Sequence, residues 1–556
     1  MTRERTRRTR ASRDLAEPPA LASRDFLAAV ALAAVLALGA AYRLVPGVVG
    51  GFHDDAVYAV TAQALARGDG YRLVNLPGAP PETKYPILYP ALLAMLSLAA
   101  PDDATALVAM QIATALAAAA AIALAYLYVV RFGYARRYTA FAAALVCASA
   151  PNLLYYATAV LSEMPFALLL VASLWATDAY LADAAPSPAR ALVTGVIAAL
   201  PFLCRTAGVV VPVAACLAIV RAKRPVAPFV VGAAVAMAPW ILWMLRGIGQ
   251  LATSPIVGYQ QDYLGHWSAG YFGYPAGSRV ALAAWVFGAN LVKACTAVGD
   301  IALEGLAPFL YEHAAWTVTA LGALAWLAAL AGVVQLALLP TTLLAYLGLV
   351  CAWPWPPDRF VVPVLFFLVG ALLDGAAGVL ERIASRRAAS LVVVAAVAIA
   401  VVGNVRALAR YAEVGRRAHY PFFVPPDEPV TWSTYADAFA WLRGHAAAAD
   451  VLAAGFDSMT ALYTGRPTIR PFVARPSTLY YGGTAPPLGT VDELRAALVA
   501  YRVRYLFLSP MPAFPEEDAF YELVTSLQRA RPAALRPAWV GADPRFAIFE
   551  VTHDAG

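Results

Sequence analysis

Charge is scarce in this chain. Of its 556 residues only 14% are Asp, Glu, Lys or Arg, while 61% are hydrophobic and the mean hydropathy is +0.65. A soluble domain carries about 25% charged residues. One core cannot hide so much apolar surface from water, so lipid must solvate part of it. That excludes a soluble enzyme, a nucleic-acid binder and a disordered scaffold. Cysteine is also scarce. Cys147, Cys204, Cys216, Cys295 and Cys351 lie scattered, mostly in apolar runs, with no CxxC pair and no metal-ligand spacing. They read as small apolar filler, and the C-terminal region, which has none, holds no disulfide. Walker and GxGxxG loops are absent, and no internal repeat is visible.

Long apolar runs are what the chain does have. A membrane-crossing helix needs roughly 20 predominantly apolar residues. The first run, 26–42, follows the basic start MTRERTRRTRASRD and reads as an uncleaved signal anchor, because further runs follow it. These are 104–130, 138–162, 164–177, 191–204, 206–220, 225–245, 314–357, 360–373 and 388–405. The run 314–357 is long enough for two crossings, with a turn expected at Leu339-Pro340, giving about eleven crossings in all. Lys and Arg in short loops set the orientation. A basic cytoplasmic N-terminus (1–25) agrees with inner loops carrying Arg131, Arg136 and Arg137, then Arg190, then Arg221, Lys223 and Arg224, then Arg382, Arg386 and Arg387. Arg406, Arg410, Arg416 and Arg417 fall outside, but late charges bias orientation least. An odd number of crossings puts the C-terminus outside. Two long outer segments are expected, 46–89 and 247–313, the first running into a short apolar stretch that reads as interfacial.

From residue 416 to 556 the composition becomes that of a soluble domain. Helices are expected over 435–445, 459–464, 491–501 and 516–530, and strands over 451–454, 467–470, 504–508, 538–540 and 546–551. The alternation implies a small α/β domain. Its residues suggest no chemistry. The fold expected is therefore a polytopic α-helical membrane protein with a soluble α/β domain appended.

Ionisable residues at the rim of a helical bundle are costly to bury, so they mark candidate sites. Three acids stand out at the outer side. Asp54 and Asp55 lie in GFHDDAVY, where one acid would cap the helix that follows but two exceed that need. Two carboxylates beside His53 also suit a metal or a general base. Glu163, in LSEMP, equally suits the N-terminal dipole of its helix. Three cations face the same side: Lys84 in ETKYP, Arg205 in CRTAG and Arg359 in PDRFVVP. Singly such cations snorkel to the interface. Three together suit a phosphate. The residues alone thus point to group transfer at the outer face that depends on a lipid-linked phosphate.

The motifs also resemble a known family. HDDAVY is similar to the D-[DE]-x-x-Y element of the GT-C glycosyltransferases, in the branch of protein O-mannosyltransferases and lipid A aminoarabinose transferases. ETKYPILYPALLA resembles that branch's K-x-P-x-x-Y-x-x-L segment through Lys84, Pro86, Tyr89 and Leu92. LSEMP resembles its second acidic motif, and CRTAG its basic-x-x-Gly element. DRFVVPVLFF resembles R-[YF]-x-x-P-x-x-P without the last proline. The resemblance runs in order over 26–405, which would be the catalytic membrane domain, and extends into the soluble part. It implies transfer of a sugar from a polyprenyl-phosphate donor with inversion. Asp54 would be the general base and Glu163 would place the acceptor or orient that base. Lys84, Arg205 and Arg359 would hold the donor phosphate. Asp55, Tyr58, Tyr85 and Tyr89 are the substrate-contacting candidates. Branches of the superfamily differ in metal need, so no cofactor is firmly expected; a divalent metal such as Mg or Mn would have His53 and Asp55 as ligands.

The partners implied are the lipid-linked donor, a lipid, glycan or protein acceptor, and the surrounding lipid of an inner (plasma) membrane, with no nucleic acid. Tyr71, Tyr259, Tyr263, His266 and Trp267 are the acceptor-pocket candidates. Rival readings are a transporter or flippase for a lipid-linked glycan, a polymerase or ligase of glycan units, and a non-catalytic subunit of an envelope complex. A transporter usually places its charges near the midplane between repeated halves, whereas here the acids lie at one rim.

Overall fold

The computed structural model describes residues 20–248, 256, 263, 267, 279–421, 430–512 and 514–553. Among them, eight helices are long and apolar enough to cross a membrane: Ser23–Arg43, Asp103–Arg131, Glu163–Ala182, Ala227–Gly247, Ala281–Ala302, Ala307–Gln335, Asp358–Ile383 and Arg386–Ala418. Leu27, Leu38, Leu327 and Leu391 point outward from these helices and stand about 70% exposed. Apolar side chains on an outer face are what lipid requires. The chain is a multi-pass membrane protein.

The expected count of about eleven crossings meets these eight helices, one bent pair and four shorter apolar helices, Leu88–Ala99, Pro188–Cys204, Thr206–Arg221 and Leu338–Ala352. The run 138–162 is the bent pair, Arg137–Ser149 and Pro151–Thr158, meeting at 67°. Pro151 causes the break, since it has no N–H to continue the ladder. The Glu304 carboxylate accepts the Asn152 N–H at 2.7 Å, in the freed first turn.

Two expectations need correction. The outer segment 247–313 is not loop throughout, because the helix Arg279–Ala302 lies within it. Lys293 and Asp300 interrupt its apolar run and hid it. Both are paired, Lys293 Nζ donating to the Tyr480 carbonyl at 3.3 Å and Asp300 accepting from Tyr311 at 2.7 Å. The turn inside 314–357 falls at Gly332 and Leu336, both with positive φ, and not at Leu339-Pro340. Pro340 sits in the first turn of Leu338–Ala352, where its missing N–H had no partner to lose.

The C-terminal domain is a five-stranded sheet in the order β2-β1-β3-β5-β4: β1 Val451–Ala454, β2 Thr468–Ile469, β3 Val503–Leu508, β4 Leu535–Val540 and β5 Ala547–Val551. β1 pairs in parallel with β2 and β3, and β5 runs antiparallel to β3 and β4. The carboxyl ends of the three parallel strands face the loop 44–87 of the membrane part. Tyr463 donates to the Gly47 carbonyl (3.0 Å) and accepts from the Val49 N–H (2.9 Å), while the Thr468 N–H reaches the Asn75 carbonyl (2.7 Å). Gly50, at φ +115°, lies against Met459 so closely that a Cβ there would meet Met459 Cγ at 2.4 Å. On the far side Tyr481 donates to Asn290 at 2.6 Å.

Candidate functional site

The site begins with a strained turn. His53 has φ 69° and ψ −62°, and the Asp54 N–H bonds to the Phe52 carbonyl at 2.9 Å. That is a γ-turn of the rare, strained form. Asp55 braces it. One carboxylate oxygen accepts the Gly50 N–H (2.7 Å), the other the N–H groups of Phe52 (3.2 Å) and Ala56 (3.0 Å). Burial pushes Asp55 up to about 6 despite those bonds. Both oxygens of Asp55 thus accept from backbone N–H groups, and in this structure the residue braces the turn. His53 Nε2 lies 2.8 Å from Asp457 Oδ1, and its Nδ1 faces Asp54 Oδ1 at 3.6 Å. The turn aims Asp54, the first residue of the helix Asp54–Arg67, into a cavity.

Six of the other predicted residues gather around it. Arg359 spans two acids, its Nη2 2.7 Å from Asp54 Oδ2 and its Nε 3.1 Å from Glu163 Oε1. Arg205 Nη1 lies 2.5 Å from the same Glu163 oxygen and donates to Ser162 Oγ at 3.0 Å. Tyr85 donates its hydroxyl to Asp54 Oδ1 at 2.7 Å. Tyr58 shares a 2.8 Å hydrogen bond with Ser162, and its ring lies 5.0 Å from that of Tyr85. Lys84 Nζ sits 4.9 Å from the centre of the Tyr85 ring. Burial alone would raise the Asp54 pKa, but Arg359, His53 and Lys84 outweigh it and hold the carboxyl well below 3.8. Burial lowers Lys84, against the pull of Asp54 and Glu82.

The cavity measures about 950 Å³ and is lined by Asp54, Tyr58, Lys84, Tyr85, Arg205 and Arg359, together with Tyr263, Trp267 and the aromatic stretch around Trp353 and Trp355. Exposure separates roles within the cluster. The side chains of Asp54 and Arg359 are 16% and 20% exposed, whereas Glu163 is at 0% and lies behind the two arginines. Tyr89 is turned away and shares a 2.8 Å hydrogen bond with Thr114, so it backs the site without lining it. Tyr71 likewise donates to the Tyr85 carbonyl (2.6 Å) from outside the cavity. Tyr259 and His266 lie outside the described residues.

Sequence reasoning missed the contribution of the C-terminal domain. Phe514, Arg470 and Glu516 line the cavity, and the fully buried Asp457 reaches His53. Asp457 follows β1, Arg470 follows β2, and Glu516 follows β3. The signal was topological, since ligands of open α/β sheets bind beyond the carboxyl ends of parallel strands. Among the described residues no three His, Cys, Asp or Glu side chains converge as a metal cluster.

A bundle of apolar helices, with acids and arginines gathered at one rim under a soluble sheet domain, is an architecture with known counterparts. The structure is similar to that of ArnT from Cupriavidus metallidurans bound to undecaprenyl phosphate, at 14% identity and TM-score 0.50, over 94% of this chain and 97% of that one. It is similar to the Archaeoglobus fulgidus oligosaccharyltransferase tethered to an acceptor peptide, at 11% identity and TM-score 0.53, over 95% of this chain and 74% of that one. The same oligosaccharyltransferase in complex with Zn and sulfate gives 11% identity and TM-score 0.54, over 94% and 73%. No family model and no curated protein matches the sequence. The chain shares the fold of these solved structures.

Proposed function

We propose that the protein is an inverting glycosyltransferase that moves a sugar from a polyprenyl-phosphate donor to an acceptor hydroxyl. The observation that carries this reading is Arg359 bridging Asp54 and Glu163, with Lys84 and Arg205 on the same cavity. A solved structure of this fold, ArnT, binds undecaprenyl phosphate. The donor phosphate would bind Lys84, Arg205 and Arg359. The acceptor hydroxyl gives its proton to Asp54 as its oxygen attacks the anomeric carbon. The bond from that carbon to the phosphate oxygen breaks, and the electron pair stays on the phosphate, where the three cations stabilise it. Phosphate leaves without a general acid, and a single displacement inverts the centre.

The ion pairs suggest how the base is switched on. With Arg359 and Tyr85 on its two oxygens, Asp54 is a weak base. A phosphate that draws Arg359 toward itself removes the largest influence lowering the Asp54 pKa. Donor binding would therefore raise the basicity of Asp54 when an acceptor can use it. Glu163 keeps Arg205 and Arg359 in place, and Asp457 holds the imidazole of His53 beside Asp54.

The basic loops support a reading in which the protein sits in the inner (plasma) membrane with its N-terminus cytoplasmic and its site at the outer face. Mass spectrometry of polyprenyl-phosphate lipids and envelope glycans tests the reading in wild-type, deletion and Asp54→Asn strains. One polyprenyl-phosphate sugar should accumulate in both mutants while one glycan loses the same residue mass. Normal transfer by Asp54→Asn would remove Asp54 as the base.

A further inference from the structure

Arg470 and Glu516 stand in the cavity wall with nothing yet to do. Both belong to the C-terminal domain, at the carboxyl ends of β2 and β3. They are 6% and 1% exposed. Arg470 Nη2 and Glu516 Oε1 are 4.0 Å apart, too far for a hydrogen bond. Arg470 Nε and Nη2 and Glu516 Oε2 have no hydrogen-bond partner among the described residues. The guanidinium lies 4.8 Å from the centre of the Phe472 ring, which fixes its plane.

Buried polar groups are nearly always paired, and an exception calls for an explanation. A bare helix-terminal charge does not supply one, because two oppositely charged side chains from different elements share the gap. Their combination selects the ligand. An anion would be repelled by Glu516 and a cation by Arg470. A hydroxyl both accepts and donates, so it satisfies the two together. Adjacent hydroxyls of a sugar ring would occupy the several open positions, and Phe514 on the same wall offers an apolar face for the ring carbons. Arg470 and Glu516 line the same cavity as Asp54, Lys84, Arg205 and Arg359.

We propose that Arg470 and Glu516 form a subsite for the hydroxyl groups of the sugar carried by the lipid-linked donor, so that the C-terminal domain reads the sugar while the membrane part holds its phosphate. This inference rests on the transferase reading above. Its test is binding by the full chain in detergent of undecaprenyl phosphate and of a panel of undecaprenyl-phosphate monosaccharides (glucose, mannose, galactose, arabinose and 4-aminoarabinose). Wild type should bind at least one glycosylated lipid more tightly than the bare one. Arg470→Met and Glu516→Gln should each reduce that preference by about tenfold and change bare-lipid affinity by less than about twofold. The thermal unfolding temperature of each variant shows that it folds, and the volume-conserving Glu516→Gln carries the test if Arg470→Met does not.

Three results overturn the subsite: a wild type with no preference for any member of the panel, variants that keep the preference, or equal loss for bare and glycosylated lipid. The last would make Arg470 a fourth phosphate cation. Failure of wild type to bind bare undecaprenyl phosphate would instead strike the lipid-phosphate reading itself.

Discussion

Arg359 answers to two carboxylates at once, and the energetics of the site turn on that sharing. Removing one member of a buried ion pair leaves its partner uncompensated and costs about 3–5 kcal/mol. Glu163→Gln leaves Arg205 and Arg359 facing each other with only Asp54 to balance them. It should lower the unfolding temperature measurably, and it should weaken transfer by displacing the arginines, which denaturation scans and a transfer assay would show together. Asp55→Ala strips the brace from three backbone N–H groups around the γ-turn. Each unsatisfied group costs about 1–3 kcal/mol, so a loss of both stability and transfer is expected.

His53 gives a pH signature at the same scale. Burial lowers its pKa, but Asp457 and Asp54 outweigh burial and raise it above 6.5. Protonated His53 is therefore favoured in the folded state. The stability this contributes is complete below pH 6.5 and is lost as pH rises through the higher folded value. Unfolding temperature followed from pH 6 to 9 should decline in wild type. Asp457→Asn should start lower and decline less, and identical slopes would dismiss the pairing.

Among the elements, the segment from Val45 to His53 does the most to place the site, because it joins the first crossing to the helix that presents Asp54. Gln111 holds it from below, accepting the Gly47 N–H (2.9 Å) and donating to the carbonyls of Val45 (3.1 Å) and Val48 (3.2 Å). Tyr463 holds it from above through Gly47 and Val49. Gly50 is a point of close approach, and both its positive φ and Met459 exclude a side chain there. Gly50→Ala should therefore loosen the C-terminal domain, and hydrogen exchange in β1 and β2 should rise in the variant. Unchanged exchange would show that the contact tolerates a shift.

At the scale of the whole molecule, the two parts build one cavity. Asp457 is buried against His53, while Arg470 and Glu516 complete the wall of the cavity. A chain ended at residue 421 keeps every membrane-spanning candidate and every predicted phosphate cation. It should insert, yet transfer no sugar, in a membrane assay that compares it with the full chain. Retained transfer would reduce the domain to a docking module.

Periodicity and composition were enough for seven of the eight helices long enough to cross among the described residues, because a run of apolar residues has only lipid or a core to go to. They were also enough for most of the C-terminal elements, including the helix Glu516–Ala530 with its acidic first turn. Local motifs marked Asp54, Lys84, Glu163, Arg205 and Arg359, since charged residues beside apolar runs are conspicuous. The helix Arg279–Ala302 escaped because Lys293 and Asp300 looked like loop charges until partners from distant segments were seen. Asp55 could not be separated from Asp54 by sequence, because adjacent side chains diverge according to a turn whose φ at His53 no local pattern announces. The sequence by itself determined the apolar helices, the appended sheet and the identity of the charges at the rim. Only the tertiary structure decided which of those charges share a cavity, because residues more than 400 positions apart, such as His53 and Asp457, meet through the packing of a whole domain.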